Sequence, residues 1–215
     1  MFVKLWMKEN PITITADQTV AAARSCMKDN HIRRLPVVDE EGGLIGILSR
    51  QDLAETRPPA TGSQDAPVPL APTTTVEAIM TTSPLVAEPM TPLETVAQRM
   101  RRHKIGAMPV VQDGKLVGII TESDVFSAFM TIMGAGGEGA RIEMVIGKTS
   151  RSLYEALEIC KRYHMLILAI AVYHNYSDSQ QLLTIRVTGQ ELADMLAALR
   201  KSGAKVNRII EENES

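Results

Sequence analysis

Two segments of this 215-residue chain place a hydroxyl and a carboxylate three residues apart, directly after an apolar run. They are Gly46-Ile47-Leu48-Ser49-Arg50-Gln51-Asp52 and Gly118-Ile119-Ile120-Thr121-Glu122-Ser123-Asp124. An ionised Asp only accepts hydrogen bonds, and its two oxygens suit the paired hydroxyls of a ribose. If the apolar run is a strand ending at Ser49 or Thr121, the helix that follows offers free amides and a positive dipole end, which suit a phosphate. The same residues also have a purely structural use, because Ser or Thr with Asp in the first helical turn caps that turn.

The two segments belong to a longer internal repeat. Met7, Pro11, Met27, Ile32, Pro36 and Val38 recur as Met80, Pro84, Met100, Ile105, Pro109 and Val111, each 73 residues on. After a one-residue loss, Gly46, Ser49 and Asp52 recur as Gly118, Thr121 and Asp124 at an offset of 72. Such a repeat fixes the architecture before any motif is read. In the first copy Ile12 to Thr15 reads as a strand, and Asp17 is placed to cap a helix starting near Thr19 that buries Val20, Ala23 and Met27. Strands at Leu35 to Val38 and Leu44 to Leu48 follow, then a helix from Ser49. The second copy runs through a strand at Leu85 to Ala87, a helix at Leu93 to Met100, strands at Met108 to Val111 and Lys115 to Ile120, and a helix from Glu122 to Met130. Each copy alone is marginal in size, so the two are expected to pack as one body.

The cations are distributed unequally. His31, Arg33 and Arg34 precede Pro36, whereas the aligned positions before Pro109 hold Lys104, Gly106 and Ala107, with Arg101, Arg102 and His103 one turn earlier. Basic side chains near a cleft compensate phosphate charge, so two clefts of different affinity or phosphate number are expected. For Arg101 and Arg102 a solvated helix end, with cations complementing its dipole, is an equally good reading.

With both copies carrying the strand, the Arg34-Leu35-Pro36-Val37-Val38 or Ala107-Met108-Pro109-Val110-Val111 run and the Gly-to-Asp series in order, the first part of the chain resembles a pair of CBS domains. The resemblance implies two clefts for adenine-containing ligands, AMP, ADP, ATP or S-adenosylmethionine. It places Thr13, Arg34, Leu35, Pro36, Ser49 and Asp52 at one cleft, and Val86, Ala107, Met108, Pro109, Thr121 and Asp124 at the other. Domain boundaries are expected at 1–56 and 75–130 for the repeats, with a Pro/Ala/Thr-rich connector at 57–74 and a Gly-rich, more flexible linker at 131–139.

Residues 140–212 follow a different pattern, strand, helix, strand, strand, helix, strand. This is the split-βαβ, ferredoxin-like order, with both helices on one face of a four-stranded antiparallel sheet, and the fold class is α+β. The tail resembles an ACT domain in topology and apolar pattern, although Ser152 stands where that family usually has a glycine. The domain order as a whole resembles the acetoin-utilisation accessory proteins, which implies a link to carbon metabolism.

Composition narrows the function classes. With a net charge of −2 and pI near 6.1 there is no general attraction for nucleic acid. The apolar run Met165 to Tyr173 is too short for a bilayer crossing, and no signal peptide is recognised, so a cytoplasmic location is expected. Cys26 and Cys160 read as reduced, buried thiols, and no His spacing suggests a metal site. No nucleophile has a plausible His partner, and the Gly134 to Gly139 cluster lacks the Lys-Ser/Thr of a phosphate loop. The expectation is a non-enzymatic, homodimeric sensor without a resident cofactor, acting on a regulated metabolic enzyme. The alternative is a dimeric scaffold with vestigial clefts.

Overall fold

The computed structural model describes residues 1–54, 71 and 73–212, so most of the expected connector at 57–74 lies outside the described residues. The chain divides into two compact units, Met1–Phe126 and Ser127–Ser215, which are taken in turn.

In the first unit the helical apolar positions Val20, Ala23 and Met27 are all buried on α1 (Val20–Asp29). Its cap differs from the expected one. The helix starts at Val20, so Thr19 is the N-cap and its hydroxyl accepts the Ala22 amide at 3.2 Å. Asp17 stands too early and instead accepts from the Thr15 hydroxyl. Short strands β1 (Lys8–Glu9) and β2 (Ile14–Thr15) precede α1; β3 (Arg34–Val38), β4 (Leu44–Ser49) and α2 (Arg50–Ala54) follow it. The second copy has β5 (Thr81–Thr82), α3 (Leu93–His103), β6 (Ala107–Gln112), β7 (Lys115–Thr121) and α4 (Glu122–Ile132). The run Leu85 to Ala87, expected as a strand, contributes only a single parallel bridge from Ala87 to Val110.

Each repeat lends its leading segment to the other. β1 pairs with β7, Lys8 opposite Ile119 and Glu9 opposite Gly118. At the matching positions β5 pairs with β4, Thr81 opposite Ile47 and Thr82 opposite Gly46. The resulting sheets run β1-β7-β6 and β2-β3-β4-β5. Close approach at the exchange needs glycine: a Cβ on Gly46 would fall 2.6 Å from the Met80 sulfur, and one on Gly118 would fall 2.8 Å from that of Met7. Val76, wholly buried, joins the core of Val20, Met27, Leu35 and Leu48 in the first repeat. Val3, its equivalent, is equally buried, and its amide donates to the Thr91 carbonyl at 3.0 Å. Each valine contributes about 1.5–3 kcal/mol by burial that a lone repeat would forgo.

The second unit is built on β8 (Gly139–Gly147), α5 (Ser150–Arg162), β9 (Leu166–Tyr173), β10 (Gln180–Thr188), α6 (Leu192–Lys201) and β11 (Lys205–Glu212). The strands form one sheet in the order β11-β8-β10-β9, with every pairing antiparallel. Alternate residues Ile142, Met144, Leu183 and Ile185 share one core with Ala156 and Cys160 of α5 and Met195 and Leu199 of α6, so both helices cover the same face. Burial pushes the Cys160 thiol up to about 11, which removes it from ordinary thiol chemistry. The Gly-rich segment expected as a flexible linker is held against this unit. Arg186, 2% exposed, donates to the Gly137 carbonyl at 2.5 Å, and Gly134, at φ +66°, lets the turn pass over its aliphatic stem.

Candidate functional site

Strand alternation decides which predicted residues share a surface. β3 and β4 pair antiparallel with Arg34 opposite Ser49, Leu35 opposite Leu48 and Pro36 opposite Ile47. Directly opposed residues point to the same face, so Arg34, Pro36 and Ser49 share one face while Leu35 and Leu48 enter the core. The second repeat repeats the arrangement, with Ala107 opposite Thr121, Met108 opposite Ile120 and Pro109 opposite Ile119. Leu35 and Met108 are therefore wholly buried core residues, and only their backbones can reach a cleft. Thr13 and Val86 are exposed, just before Ile14 and Ala87, whose pairing places them alongside the Pro-containing strands.

Ser49 and Asp52 form a reciprocal capping box at the start of α2. The Ser49 amide donates to Asp52 Oδ2 at 2.6 Å, and the Asp52 amide donates to the Ser49 hydroxyl at 3.2 Å. Thr121 and Asp124 repeat this at α4, with amide-to-Oδ2 and hydroxyl-to-Oδ2 distances of 2.7 Å and a return bond of 3.3 Å. Both carboxylates are thus fixed through Oδ2. Among the described residues neither Oδ1 has a protein donor.

Charge separates the clefts. Arg34, half-buried, reaches across to the second repeat, where a Cβ on Gly106 would fall 2.5 Å from its Nη2 and 2.8 Å from Glu122 Oε2. Burial, followed by the charge of Arg33, lowers its pKa from the ordinary guanidinium value, while Glu122 and Asp52 act the other way. It stays a cation at any physiological pH. At the equivalent position the second cleft has the apolar, buried Ala107. His31 and Arg33, grouped with Arg34 in sequence, instead line a separate cavity against α1 and α2.

Gly106 and Glu122, which lie beside Arg34, were not among the expected site residues. The available signal was the alignment itself, which sets Gly106 against Arg33 and so marks a place where the second repeat needs room. Among the described residues no group of His, Cys, Asp and Glu could hold a metal ion, and no helix is long and apolar enough to cross a membrane.

A profile of the CBS domain matches residues 3–58 and 76–131. Three solved structures are similar in fold. The CBS domain pair of protein MJ0100, solved with 5-methylthioadenosine and S-adenosyl-L-methionine, has a TM-score of 0.50 at 31% identity and covers 60% of this chain and 95% of that one. A putative acetoin utilization protein from Vibrio cholerae has a TM-score of 0.52 at 33% identity, over 62% of this chain and 93% of that one. CBSX2, solved with AMP, has a TM-score of 0.52 at 26% identity, over 61% and 97%. Relatives with enzyme names are matched over a small part of their length; for the L-aspartate semialdehyde sulfurtransferase of Methanocaldococcus jannaschii, 32% identical over 128 residues, that part is 23%.

Proposed function

Because the chain belongs to the CBS-domain family, whose profile it matches in two copies, we propose that it is a non-catalytic sensor that binds AMP, ADP, ATP or an adenosyl compound such as S-adenosylmethionine in its two clefts. The observation that carries this is the repeated capping box. It fixes Asp52 and Asp124 at the edge of each cleft through one oxygen and leaves Oδ1 to accept from a ribose hydroxyl. A carboxylate oxygen has two lone pairs, so Oδ2 can accept a further bond as well.

In the first cleft Arg34 meets phosphate, Ser49 sits beside it, and Thr13, Pro36 and the Leu35 backbone face the base. In the second, Thr121 takes the phosphate side, and Val86, Ala107, Pro109 and the Met108 backbone face the base. The adenosyl ligands of the similar structures support this choice of ligand class.

The tail, in the division 140–212, we read as an ACT-like unit that passes ligand occupancy of the clefts to a homodimer or a regulated metabolic enzyme in the cytoplasm. Its support is the strand order and the shared helical face. The likeness to the Vibrio cholerae protein supports a connection with acetoin use. A second reading, a scaffold with vestigial clefts, is favoured by one observation: the capping boxes alone give both Asp residues a structural role.

Thermal denaturation with AMP, ADP, ATP and S-adenosylmethionine separates the two. A ligand at a hundredfold over its dissociation constant stabilises by about 2.7 kcal/mol, a rise of roughly 5–10 °C for a chain of this size. Asp52→Ala and Asp124→Ala are each expected to weaken one site roughly tenfold to a hundredfold, beyond the loss of about 1 kcal/mol in helix capping. Unchanged affinity in both variants, or no shift with any ligand, selects the scaffold.

A further inference from the structure

Alternation in β3 turns Arg34 to the cleft face beside Ser49, and Arg33, one residue earlier, lies on the side covered by α1 and α2. Arg50 joins it there, with its backbone amide 2.8 Å from the Arg33 carbonyl. A cavity of about 680 Å3 opens at this point, rimmed by Arg24, Lys28, His31, Arg33 and Arg50. Its floor is apolar, made by Met27, Ile32 and Leu53. Among the described residues none of the lining is acidic, and neither Ser49, Asp52 nor Arg34 belongs to it.

We propose that this cavity is a second ligand site, for an oligophosphate group, on the opposite side of the first repeat's sheet from the Asp52 cleft. The volume falls within the usual range for a small-molecule site. Four permanent cations and an imidazole around one cavity repel one another, and an anion with several charges relieves that repulsion more fully than a single phosphate. The arginines add bidentate geometry suited to phosphate oxygens. Arg24 is already oriented, since its guanidinium donates to the Leu53 carbonyl at 3.0 Å.

The duplication supplies an internal control. At the matching positions of the second repeat the floor stays apolar, as Met100, Ile105 and Val125. The rim changes in part: Arg24, Arg33 and Arg50 are answered by Ala97, Gly106 and Glu122, while Lys28 and His31 are answered by the basic Arg101 and Lys104. The fold therefore demands the floor and not Arg24, Arg33 and Arg50, whose gathering at one copy needs a reason other than folding.

The inference is independent of the adenosine reading, and calorimetry distinguishes them. Inorganic tripolyphosphate, ATP and AMP are titrated into the full chain, the Lys28→Gln/Arg50→Gln double variant and Asp52→Ala, at low and moderate salt. Tripolyphosphate is expected to bind the unaltered chain and Asp52→Ala alike, to weaken roughly tenfold or more in the double variant, and to weaken as salt rises. The charge-preserving Lys28→Arg/Arg50→Lys variant should retain binding, and an unchanged thermal midpoint in the double variant excludes misfolding as the cause of loss. AMP binding should not respond to the double variant. If ATP binds an Asp52→Ala/Asp124→Ala variant more tightly than tripolyphosphate does, and loses that binding when Lys28→Gln/Arg50→Gln is added, the oligophosphate is that of a nucleotide lying on the apolar floor; if not, it is a free chain. Tripolyphosphate that fails to bind, or binds the double variant undiminished, overturns the proposal. Failure of AMP together with every other ligand of the thermal test overturns the adenosine reading and leaves this one standing.

Discussion

At Arg34 the first repeat sets a guanidinium among Asp52, Glu122 and Gly106, and at the equivalent point the second has only the methyl group of Ala107. Around that difference nearly everything else is duplicated: the capping boxes, the core methionines Met27 and Met100, and the exchanged strands. The buried core and the capping residues kept their character through duplication, and Arg33, Arg34 and Arg50 did not. The residues that break the pseudo-symmetry at this end of the sheet are Arg34, Arg33 and Arg50, answered by Ala107, Gly106 and Glu122.

The largest expected effect tests the duplicated part. Met27, at 4% exposure, and Met100, at 2%, occupy matching core positions. Met27→Ala and Met100→Ala should each cost about 2–5 kcal/mol in chemical denaturation, through lost transfer energy and the cavity left behind. Similar losses in a single cooperative transition are expected, because Val3 and Val76 tie each core to the leading segment of the other. If one variant loses less than 1 kcal/mol while the other loses several, the cores are not equivalent and the comparison fails at its base.

A smaller effect tests the part that diverged. Arg34→Ala removes a charged contact from the first cleft alone, so affinity there should fall roughly tenfold to a hundredfold while the second cleft is unaltered. Calorimetry with AMP should then report one weakened and one unchanged site. Equal weakening of both sites would mean that Arg34 acts on the module as a whole.

Much of this was legible in the sequence, and the reasons are specific. The repeat, the helices at Val20 and Leu93, and the strand and helix order of the tail all rest on apolar periodicity, which burial enforces strongly. Capping was legible as a motif but misplaced at Asp17, because three polar residues, Asp17, Gln18 and Thr19, stand in line and only the helix start chooses among them. The strand exchange left no trace, since two-residue strands such as Lys8–Glu9 carry no period and their partners lie far along the chain. Alternation could have separated Arg33 from Arg34, but Leu35 and Met108 were grouped with the cleft by motif position, although their place on β3 and β6 sends them to the core.

The smallest effect is the sharpest test of the asymmetry, and it lies at Gly106. Its backbone has no left-handed φ, so Ala carries no conformational strain there. The added methyl would meet Arg34 Nη2 and Glu122 Oε2 at 2.5 and 2.8 Å, and both lie at the far ends of flexible side chains that must withdraw by roughly half to one ångström to reach ordinary contact. Stability should therefore change by no more than about 1 kcal/mol, with reduced freedom of the unfolded chain offsetting the adjustment. Ligand affinity in the first cleft should nonetheless drop several-fold, because the displaced guanidinium no longer holds its phosphate geometry, and the second cleft should not respond. A change in affinity without a change in stability would show that the second repeat contributes open space to the first cleft. Unchanged affinity would confine Arg34 to a structural role.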